Sequence, residues 1–498
     1  MDTNWMSFPS PLPLTAFEEY MLRDDRPKYP MSIIARLRFA GQLDRRATVE
    51  ALETVVARHP LVRAKVHTTP TGRLEWIASA DRPTGISWID GPTHDRLPSM
   101  RPIDLSSEPG LKSWAMADSQ RSSLVLQVHH AACDGKAVFQ FLDDFLRSYA
   151  YVLAGKQSPI ELLPSDPHAL HGRGRFGLTV RKYLRMLPVQ LMGLSRVRQF
   201  FMHRPVPLSE RIATIGGELP AGFPDVKVGS LEMEEVQKLS TAVADAKVTA
   251  NDWLLRDFFV AVDDFRARYQ VTTRGEWIRF CVPMNLRHEP DNPMPAANVV
   301  SMVFLDRTPK QIADPSGLLQ SIHAEMDSIR RRQLGLIFVV SLWGLRLLPG
   351  GLAKWVNREC CEATCVLSNL GRAMADSPLP RCNEKIVAGN VVLEGLDFFA
   401  PVRDGTAVAM ALVYYAGELQ LCMQYDSRRI TGAQASDLMA TYLRKIRASI
   451  DMASRSVEAN PLGHTKPIGN VVGRPGEPAE HVEEQLRHDD SLRQQPLA

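Results

Sequence analysis

Along residues 1–160, apolar and polar positions alternate between two periods, one typical of strands and one typical of helices. Residues 31–41, MSIIARLRFAG, predict a buried strand, and residues 45–59 carry apolar side chains at helical spacing. A second run of apolar and β-branched residues, 123–128, precedes a helical segment at residues 137–149. The apolar side chains of that segment recur at Val138, Phe141, Leu142, Phe145 and Tyr149. The pattern predicts an N-terminal α/β lobe.

The same alternation resumes over residues 226–454. The predicted strands there are KVGSL, WIRFCVPMNL, NVVSMVFLD, KIVAGNVVLEG, AVAMALVYYAG and ELQLCMQYD. The predicted helices lie at residues 233–246, 251–269, 315–332 and 432–450. Because sheets and helices bury their apolar faces against one another in layers, we expect these elements to form a second α/β lobe.

Residues 161–225 break the alternation with proline, glycine and arginine, which predicts a basic amphipathic insertion between the lobes. Basic side chains recur there without an intervening acidic residue, at Arg173, Arg175, Arg181, Lys182, Arg185, Arg196, Arg198 and Arg204. A segment that mixes cationic and apolar groups can lie in an anionic membrane interface. It is equally typical of a linker helix that packs across the lobes with a solvated basic face. Residues 173–204 are therefore a candidate for peripheral membrane contact, with the linker as the alternative.

Two further segments stand apart in composition. Residues 334–348, LGLIFVVSLWGLRLL, are too short and too interrupted by Arg346 to span a membrane, which takes about 20 apolar residues. They predict a core helix, or a helix that faces lipid or lines a tunnel. Residues 455–498 are polar and predict a disordered, solvated tail, with partner binding as the alternative.

Composition narrows the functional classes. The chain has 498 residues, of which 45% are hydrophobic and 23% charged, as in ordinary globular proteins. A net charge of +3, without arginine–aromatic interleaving or zinc-finger spacing, gives no reason to expect a nucleic-acid partner. Seven cysteines in no disulfide pattern, and an N-terminus without an export signal, predict a cytoplasmic protein. The vicinal pair Cys360–Cys361, with Cys365, lacks zinc-site spacing, so no metal is expected.

The candidate chemistry lies in the run HHAACDG, between the strand that ends near residue 128 and the helix that follows. It supplies His129, His130, Asp134 and Gly135. A neutral imidazole, with an ordinary pKa near 6.5, can take a proton from an alcohol or amine and return it in the same cycle. We expect Gly135 to allow a tight turn with a positive φ angle. The pattern predicts a proton-transfer site; a hydrogen-bonded structural histidine is the alternative.

This run resembles the HHxxxDG signature of the chloramphenicol-acetyltransferase-like superfamily. That group includes peptide-synthetase condensation domains, polyketide-associated acyltransferases, wax ester synthases and plant BAHD acyltransferases. The resemblance covers roughly residues 10 to 450. Further matching segments are LDRRATVEALETVVARHPLVRAKV, VTAND, VPMNLR followed by Asn298, LSNLG, and YYAGELQLCMQYD.

Departures from the family pattern bear on the subgroup. No DFGWG segment is present, which argues against a plant BAHD enzyme, and LSNLG is only partly similar to the SNVPGP of wax ester synthases. No carrier-protein or adenylation module accompanies the chain, so we expect a free-standing member.

The resemblance implies two lobes that meet in a V, with the HHxxxDG loop in a channel at their interface. It implies that His130 is the general base, that His129 supports the loop, and that Asp134 pairs with Arg287. Ser368 or Asn369, in LSNLG, is the candidate donor to the oxyanion of the tetrahedral intermediate. The alternative for that segment is that its asparagine and glycine only shape a turn after a strand.

The function implied is transfer of an acyl group from a thioester to an alcohol or amine, without a covalent enzyme intermediate. No bound cofactor is expected; acyl-CoA, or an acyl group on the phosphopantetheine of an acyl-carrier protein, is the co-substrate. The apolar, basic insertion favours ester formation with a lipid-like substrate. The alternatives are condensation-type amide formation with a carrier-tethered donor, and a non-catalytic module that docks a carrier protein. We expect a cytoplasmic location, with peripheral contact at the membrane surface.

Overall fold

The computed structural model describes residues 8–79, 85–90, 96–157, 162–176, 195–210, 219–220, 222–271, 277–287, 293–358 and 361–458. Several sequence predictions fall outside these residues. They concern residues 177–194 of the basic insertion, Cys360, and the tail beyond residue 458.

The strands are β1 (Leu12–Pro13), β2 (Ser32–Ala40), β3 (Ala64–Thr68), β4 (Leu74–Ala78), β5 (Ser87–Asp90), β6 (Leu111–Ala117), β7 (Arg121–His129), β8 (Val226–Leu231), β9 (Ile278–Asn285), β10 (Val300–Arg307), β11 (Cys365–Arg372), β12 (Arg381–Cys382), β13 (Lys385–Ala388), β14 (Val391–Phe399), β15 (Val408–Tyr415) and β16 (Glu418–Tyr425). The α-helices include Ala16–Asp24, Arg45–Arg58, Gly135–Leu153, Met233–Asp245, Ala250–Arg268, Pro309–Ile312, Pro315–Arg331, Leu336–Leu347, Gly351–Val356 and Gly432–Glu458. Short 3₁₀ turns lie at Pro60–Arg63 and Pro167–Gly172. Gly135–Leu153 is called the motif helix below, and Leu336–Leu347 the apolar helix.

The first large sheet has the strand order β12-β13-β14-β2-β7-β6-β5. Strand β7 lies inside it, antiparallel to β2 and to β6, with His129 opposite Ser32. The motif helix and the helix Arg45–Arg58 share one apolar core with this sheet. The histidine run therefore begins at the end of a central, buried strand, which holds it rigidly.

The second large sheet has the order β10-β9-β11-β15-β16-β8. Strand β11 is parallel to both of its neighbours, β9 and β15. The helices Ala250–Arg268, Pro315–Arg331 and Gly432–Glu458 contribute to the core of this sheet. A smaller sheet, β1-β4-β3, accompanies the first lobe. The predicted α/β fold with two lobes is confirmed.

The strand pairing differs from the expected division of the chain in one respect. Strands β12, β13 and β14 follow β11 in sequence but extend the first sheet, where β14 pairs with β2. The sequence pattern assigned residues 226–454 entirely to the second lobe, because apolar alternation predicts a strand but not its neighbour. This crossing places Phe398, at the end of β14, beside the start of the motif helix.

The apolar helix buries Leu336, Val339 and Leu342 in the protein, while Leu347 near its end is 85% exposed. It is thus a helix with one packed face, as expected of a core helix, and one open side. Contact of the open side with lipid or with a tunnel stays a prediction. None of the helices in the described part of the chain is both long and apolar enough to cross a bilayer.

The described ends of the basic insertion divide between interior and surface. The Arg173 guanidinium is buried and donates to both carboxylate oxygens of Glu18, at 2.7 and 2.9 Å. Arg196 pairs with Glu325 at 2.7 Å. Phe201 and Met202, in contrast, are 53% and 63% exposed. Membrane contact is therefore wrong for Arg173, which ties the insertion to the first lobe, and stays a prediction for the rest of residues 173–204.

Candidate active site

The loop between β7 and the motif helix is held by a helix cap. Asp134 is the N-cap of the motif helix, with extended backbone angles, and its Oδ1 accepts a hydrogen bond from the Ala137 N–H at 3.0 Å. A carboxylate at this position satisfies one of the unpaired N–H groups at the helix start and faces the positive end of the helix dipole. The cap fixes where the helix begins and so where the preceding residues lie.

Gly135 is needed for close packing rather than for a turn. Its φ angle is not positive, and it is the first residue of the motif helix, so the predicted positive φ is wrong. A Cβ atom placed on Gly135 would lie 2.5 Å from Leu370 Cδ2 and 3.1 Å from Phe398 Cζ. The helix start therefore packs directly against the side chains of Leu370 and Phe398, and a larger residue at position 135 would require the Leu370 side chain to shift.

His129 is fully buried and supports the loop. Its Nδ1 accepts a hydrogen bond from the Ala131 N–H at 3.0 Å, and its Nε2 lies 3.5 Å from the Asp25 carboxylate. Because Nδ1 accepts, the ring proton belongs on Nε2, where it faces Asp25. This geometry gives His129 a structural position, and its side chain does not line the cavity that His130 lines.

His130 lines a cavity between the two sheets. Its backbone N–H donates to the Met31 carbonyl at 2.7 Å, and its own carbonyl accepts from the Asn298 amide at 2.8 Å. Desolvation by burial lowers the pKa of His130, and the nearby Asp134 carboxylate opposes this shift. The ring is therefore neutral at pH 7, which is the state a general base requires. Its Nδ1 is buried and makes no hydrogen bond to the described residues.

Asp134 joins the two lobes. Its Oδ2 accepts hydrogen bonds from Arg287 Nη1 and from the Val299 N–H, each at 2.8 Å. Arg287 Nη2 also donates to the Ala297 carbonyl at 2.8 Å. The structure thus brings together the two residues of the predicted ion pair, and both carboxylate oxygens are engaged in hydrogen bonds at the cavity that His130 also lines.

The segment before β10 is fastened to the first lobe at further points. The Ala296 N–H donates to His59 Nδ1 at 2.9 Å, and the Asn298 amide donates to the carbonyls of His130 and Ala131 at 2.8 and 2.7 Å. His59 is fully buried, and its Nε2 lies 3.2 Å from the Asp144 carboxylate. Sequence comparison alone matched Asn298 to the family pattern without a role; the structure shows that it fixes the backbone that carries His130.

Ser368 and Asn369 both line the cavity from β11. The ladder between β11 and β15 shifts register between Asn369 and Gly371, so the segment is a bulge within a strand, rather than the turn after a strand offered as the alternative. Asn369 Oδ1 accepts from the Gly371 N–H at 3.0 Å, which orients the amide. Its Nδ2 is buried and has no hydrogen-bond acceptor among the described residues. A buried donor without a partner is costly, and an oxyanion in the cavity would satisfy it.

Charged residues that the sequence analysis did not single out also line this cavity. Arg403 lies between Asp24 and Glu362, at 2.9 Å from each, and reaches the Tyr20 hydroxyl at 2.5 Å. Lys136 has no ion-pair partner among the described residues, and desolvation lowers the pKa of its ammonium group. The Arg403 cluster draws on three distant parts of the chain, so no local pattern could have shown it. Lys136 directly follows the motif and could have been noticed there. In the described part of the chain, no group of three or more His, Cys, Asp or Glu side chains is arranged to hold a metal ion.

Sequence comparisons match this chain to one protein family model and to one relative of similar length. Residues 296–447 match the family model of the WS/DGAT C-terminal domain. An uncharacterized protein of Mycobacterium tuberculosis, found in strains CDC 1551 and H37Rv, is 23% identical over 451 residues, which cover 86% of this chain and 98% of the relative.

Solved structures show the same architecture over most of the chain. The first condensation domain of the calcium-dependent antibiotic synthetase superimposes with a TM-score of 0.62 at 14% identity, covering 88% of this chain and 97% of that one. Polyketide synthase associated protein 5 from Mycobacterium tuberculosis gives 0.59 at 16% identity, covering 89% and 98%. The SgcC5 protein from Streptomyces globisporus gives 0.61 at 16% identity, covering 88% and 98%. The predicted fold is confirmed: the chain has the two-lobed α/β fold of these condensation-domain and polyketide-synthase-associated structures, in agreement with the resemblance of its HHxxxDG run, and residues 296–447 match the WS/DGAT C-terminal domain.

Proposed function

We propose that this protein is an acyltransferase that moves an acyl group from a thioester to an alcohol or amine, with His130 as the general base. The observation that carries the proposal is the position of the His130 ring, which is neutral because burial lowers its pKa, in the wall of an interlobe cavity. A positioned base of this kind contributes roughly 10²- to 10⁴-fold to a rate.

The reaction proceeds in two steps. His130 takes the proton of the acceptor hydroxyl or amine while its oxygen or nitrogen bonds to the thioester carbonyl carbon, which gives an oxyanion. The carbon–sulfur bond then breaks, and the imidazolium returns the proton to the departing thiolate. The products are an ester or amide and a free thiol, so atoms and charge balance without a covalent enzyme intermediate.

Asn369 is the stronger of the two oxyanion candidates. Its Nδ2 faces no acceptor in the described structure, and its Oδ1 is already engaged by Gly371, so the donor is oriented before substrate binds. A preorganised donor costs no reorganisation as charge develops, and removing one typically lowers kcat by about 10²- to 10³-fold. Ser368, also in the cavity wall, is the second candidate.

Asp134 acts as a positioning residue. It caps the motif helix and binds Arg287 and Val299 of the second lobe, so it fixes the loop that carries His130 against the opposite side of the cavity. Holding both substrates and the base in one geometry supplies the proximity on which the reaction depends.

Ester formation with a lipid-like substrate is the favoured reaction, supported by the match to the WS/DGAT C-terminal domain. The second candidate is amide formation with a carrier-tethered donor, and it is favoured by the structural likeness to the first condensation domain of the calcium-dependent antibiotic synthetase. The donor in either case is acyl-CoA or an acyl group on phosphopantetheine.

A donor and acceptor panel tests the proposal. Purified protein is mixed with acyl-CoAs, or with the same acyl groups loaded on an acyl-carrier protein, together with alcohols or amines, and free thiol and product mass are measured. Acceptor-dependent thiol release with alcohols supports ester formation, and release with amines from the carrier alone supports the condensation reaction. Carrier binding without release from any donor would overturn the enzymatic proposal in favour of a docking module.

A further inference from the structure

A second cavity lies in the second lobe, next to the candidate active site. It has a volume of about 370 Å³, against about 150 Å³ for the cavity at His130. Its walls are the apolar helix, strand β10 and residues 196–201. Most of the side chains that line it are apolar, and they include Phe200, Ile337, Phe338, Leu342, Leu345 and Trp355.

The two cavities share part of their walls. Met302 and Phe304 line both of them, on the same face of β10 as Val300, which lines the active-site cavity. The Phe304 ring also packs edge-to-face against the ring of Phe200, with the ring centroids 4.9 Å apart, and both rings line the second cavity. The separation is therefore one layer of side chains, and one of these is a methionine, whose three rotatable bonds let it move without disturbing the strand.

The charged side chains of the second cavity, and its serine, already have partners. Asp306 accepts hydrogen bonds from Arg279 at 2.6 and 2.9 Å and lies 2.9 Å from His203. Arg196 pairs with Glu325, and the Ser341 hydroxyl donates to the Ile337 carbonyl at 2.8 Å. A polar ligand group buried here would lose its hydrogen bonds to water without gaining a charged partner, which is unfavourable. A hydrocarbon chain makes no such hydrogen bonds, so its burial is favourable.

We infer that the second cavity binds the aliphatic chain of a substrate whose reacting group lies at His130. The inference rests on the proposed acyl transfer and adds its substrate class, a chain long enough to pass Met302 and Phe304. Each methylene buried in such a cavity improves kcat/KM or affinity by about fourfold. The chain belongs either to the acyl donor or to the alcohol acceptor, and varying one while the other is held short distinguishes them.

Gly344, an exposed residue at the rim of the second cavity, offers a way to obstruct its opening. It lies in the apolar helix on the cavity wall, and a Cβ atom placed there meets no atom within 4 Å. The Gly344→Phe variant therefore adds a ring without a backbone clash. The matched control is Leu347→Phe, which adds an aromatic ring at an 85% exposed position of the same helix that does not line the cavity.

The experiment measures kcat/KM over a chain series from 4 to 16 carbons, first in the donor with a short alcohol and then in the alcohol with a short donor. We expect the ratio of long-chain to short-chain kcat/KM in one series to fall at least tenfold in Gly344→Phe and to stay at the native value in Leu347→Phe. Chain-length selectivity that is the same in Gly344→Phe as in the native protein would overturn the inference while leaving acyl transfer intact.

A binding measurement separates the two claims. Titration calorimetry of dodecanol and dodecanoyl-CoA, into the native protein and Gly344→Phe, reports occupancy without turnover. Binding of either ligand that is lost in Gly344→Phe supports the cavity even if no donor and acceptor pair reacts. Equal binding by both proteins, or binding by neither, would contradict the inference.

Discussion

Replacing Asp134 by alanine should weaken both the fold and the reaction, because one carboxylate serves three donors. The substitution removes the N-cap of the motif helix, which typically costs 0.5–2 kcal/mol, or about 1 kcal/mol. It leaves the Val299 N–H without its acceptor, at about 1–3 kcal/mol. It also leaves Arg287 without its carboxylate, although that side chain is 23% exposed and keeps its bonds to Asn285 and Ala297.

Breaking a fully buried ion pair typically costs about 3–5 kcal/mol, and partial exposure and the remaining contacts of Arg287 place this pair below that range. Together with the cap and the Val299 bond, we expect the free energy of unfolding to fall by about 3–6 kcal/mol in Asp134→Ala. Asp134→Asn should lose less of the free energy of unfolding, since the amide oxygen can still accept a hydrogen bond from one of the two backbone N–H groups.

Urea denaturation followed by tryptophan fluorescence and by circular dichroism measures this loss, with agreement between the two probes as the check on two-state unfolding. Arg287→Met and the double variant complete a mutant cycle, for which we expect a coupling energy above 1 kcal/mol. A loss below about 1 kcal/mol in Asp134→Ala, or a coupling energy near zero, would refute the interlobe role of this carboxylate.

Three further predictions follow from the same geometry. Because desolvation lowers the pKa of His130 and a general base must be neutral, kcat/KM should be constant near neutral pH and fall as the pH drops, with a midpoint below 6.5. A midpoint above 7 would contradict the assignment of His130 as the base. Asn369→Ala should lower kcat by about 10²-fold with little change in KM, whereas Ser368→Ala should lower kcat less than tenfold. Steady-state kinetics with the best acyl donor decides which of the two side chains is the main hydrogen-bond donor to the oxyanion. A larger loss of kcat in Ser368→Ala than in Asn369→Ala would exchange their roles. Gly135→Ala should lower the free energy of unfolding by about 1–3 kcal/mol through the contact with Leu370, as measured by urea denaturation. Adding Leu370→Val should restore part of that loss. Native stability in Gly135→Ala would show that the packing around position 135 is loose.

Local elements of this fold follow from the sequence, whereas their assembly does not. The strand that ends at His129 and the motif helix are predictable, because apolar spacing and a capping aspartate are local signals. The addition of β14 to the first sheet is not predictable from the sequence, because the alternation of apolar residues along β14 is the same whichever strand it pairs with. The Asp134–Arg287 contact joins residues 153 positions apart, and only the family resemblance indicated it.

The site shows the same division. His130 was recognisable from the motif, but the interpretation of Gly135 as a positive-φ residue was wrong, because the constraint comes from Leu370 and Phe398 in other strands. The cluster around Arg403 and the unpartnered Nδ2 of Asn369 depend on where β11 and the helix Ala16–Asp24 lie in space. Such convergent groups are set by tertiary packing and leave no spacing in the chain.

The most direct test of the central claim is the turnover of His130→Ala, compared with the native protein on the donor and acceptor pair that gives the highest thiol release. We expect kcat to fall by about 10²- to 10⁴-fold, with the circular dichroism spectrum and the urea midpoint unchanged, because the imidazole supplies proton transfer and its Nδ1 makes no hydrogen bond to the described residues. Near-native turnover by a folded His130→Ala protein would contradict the assignment of His130 as the general base.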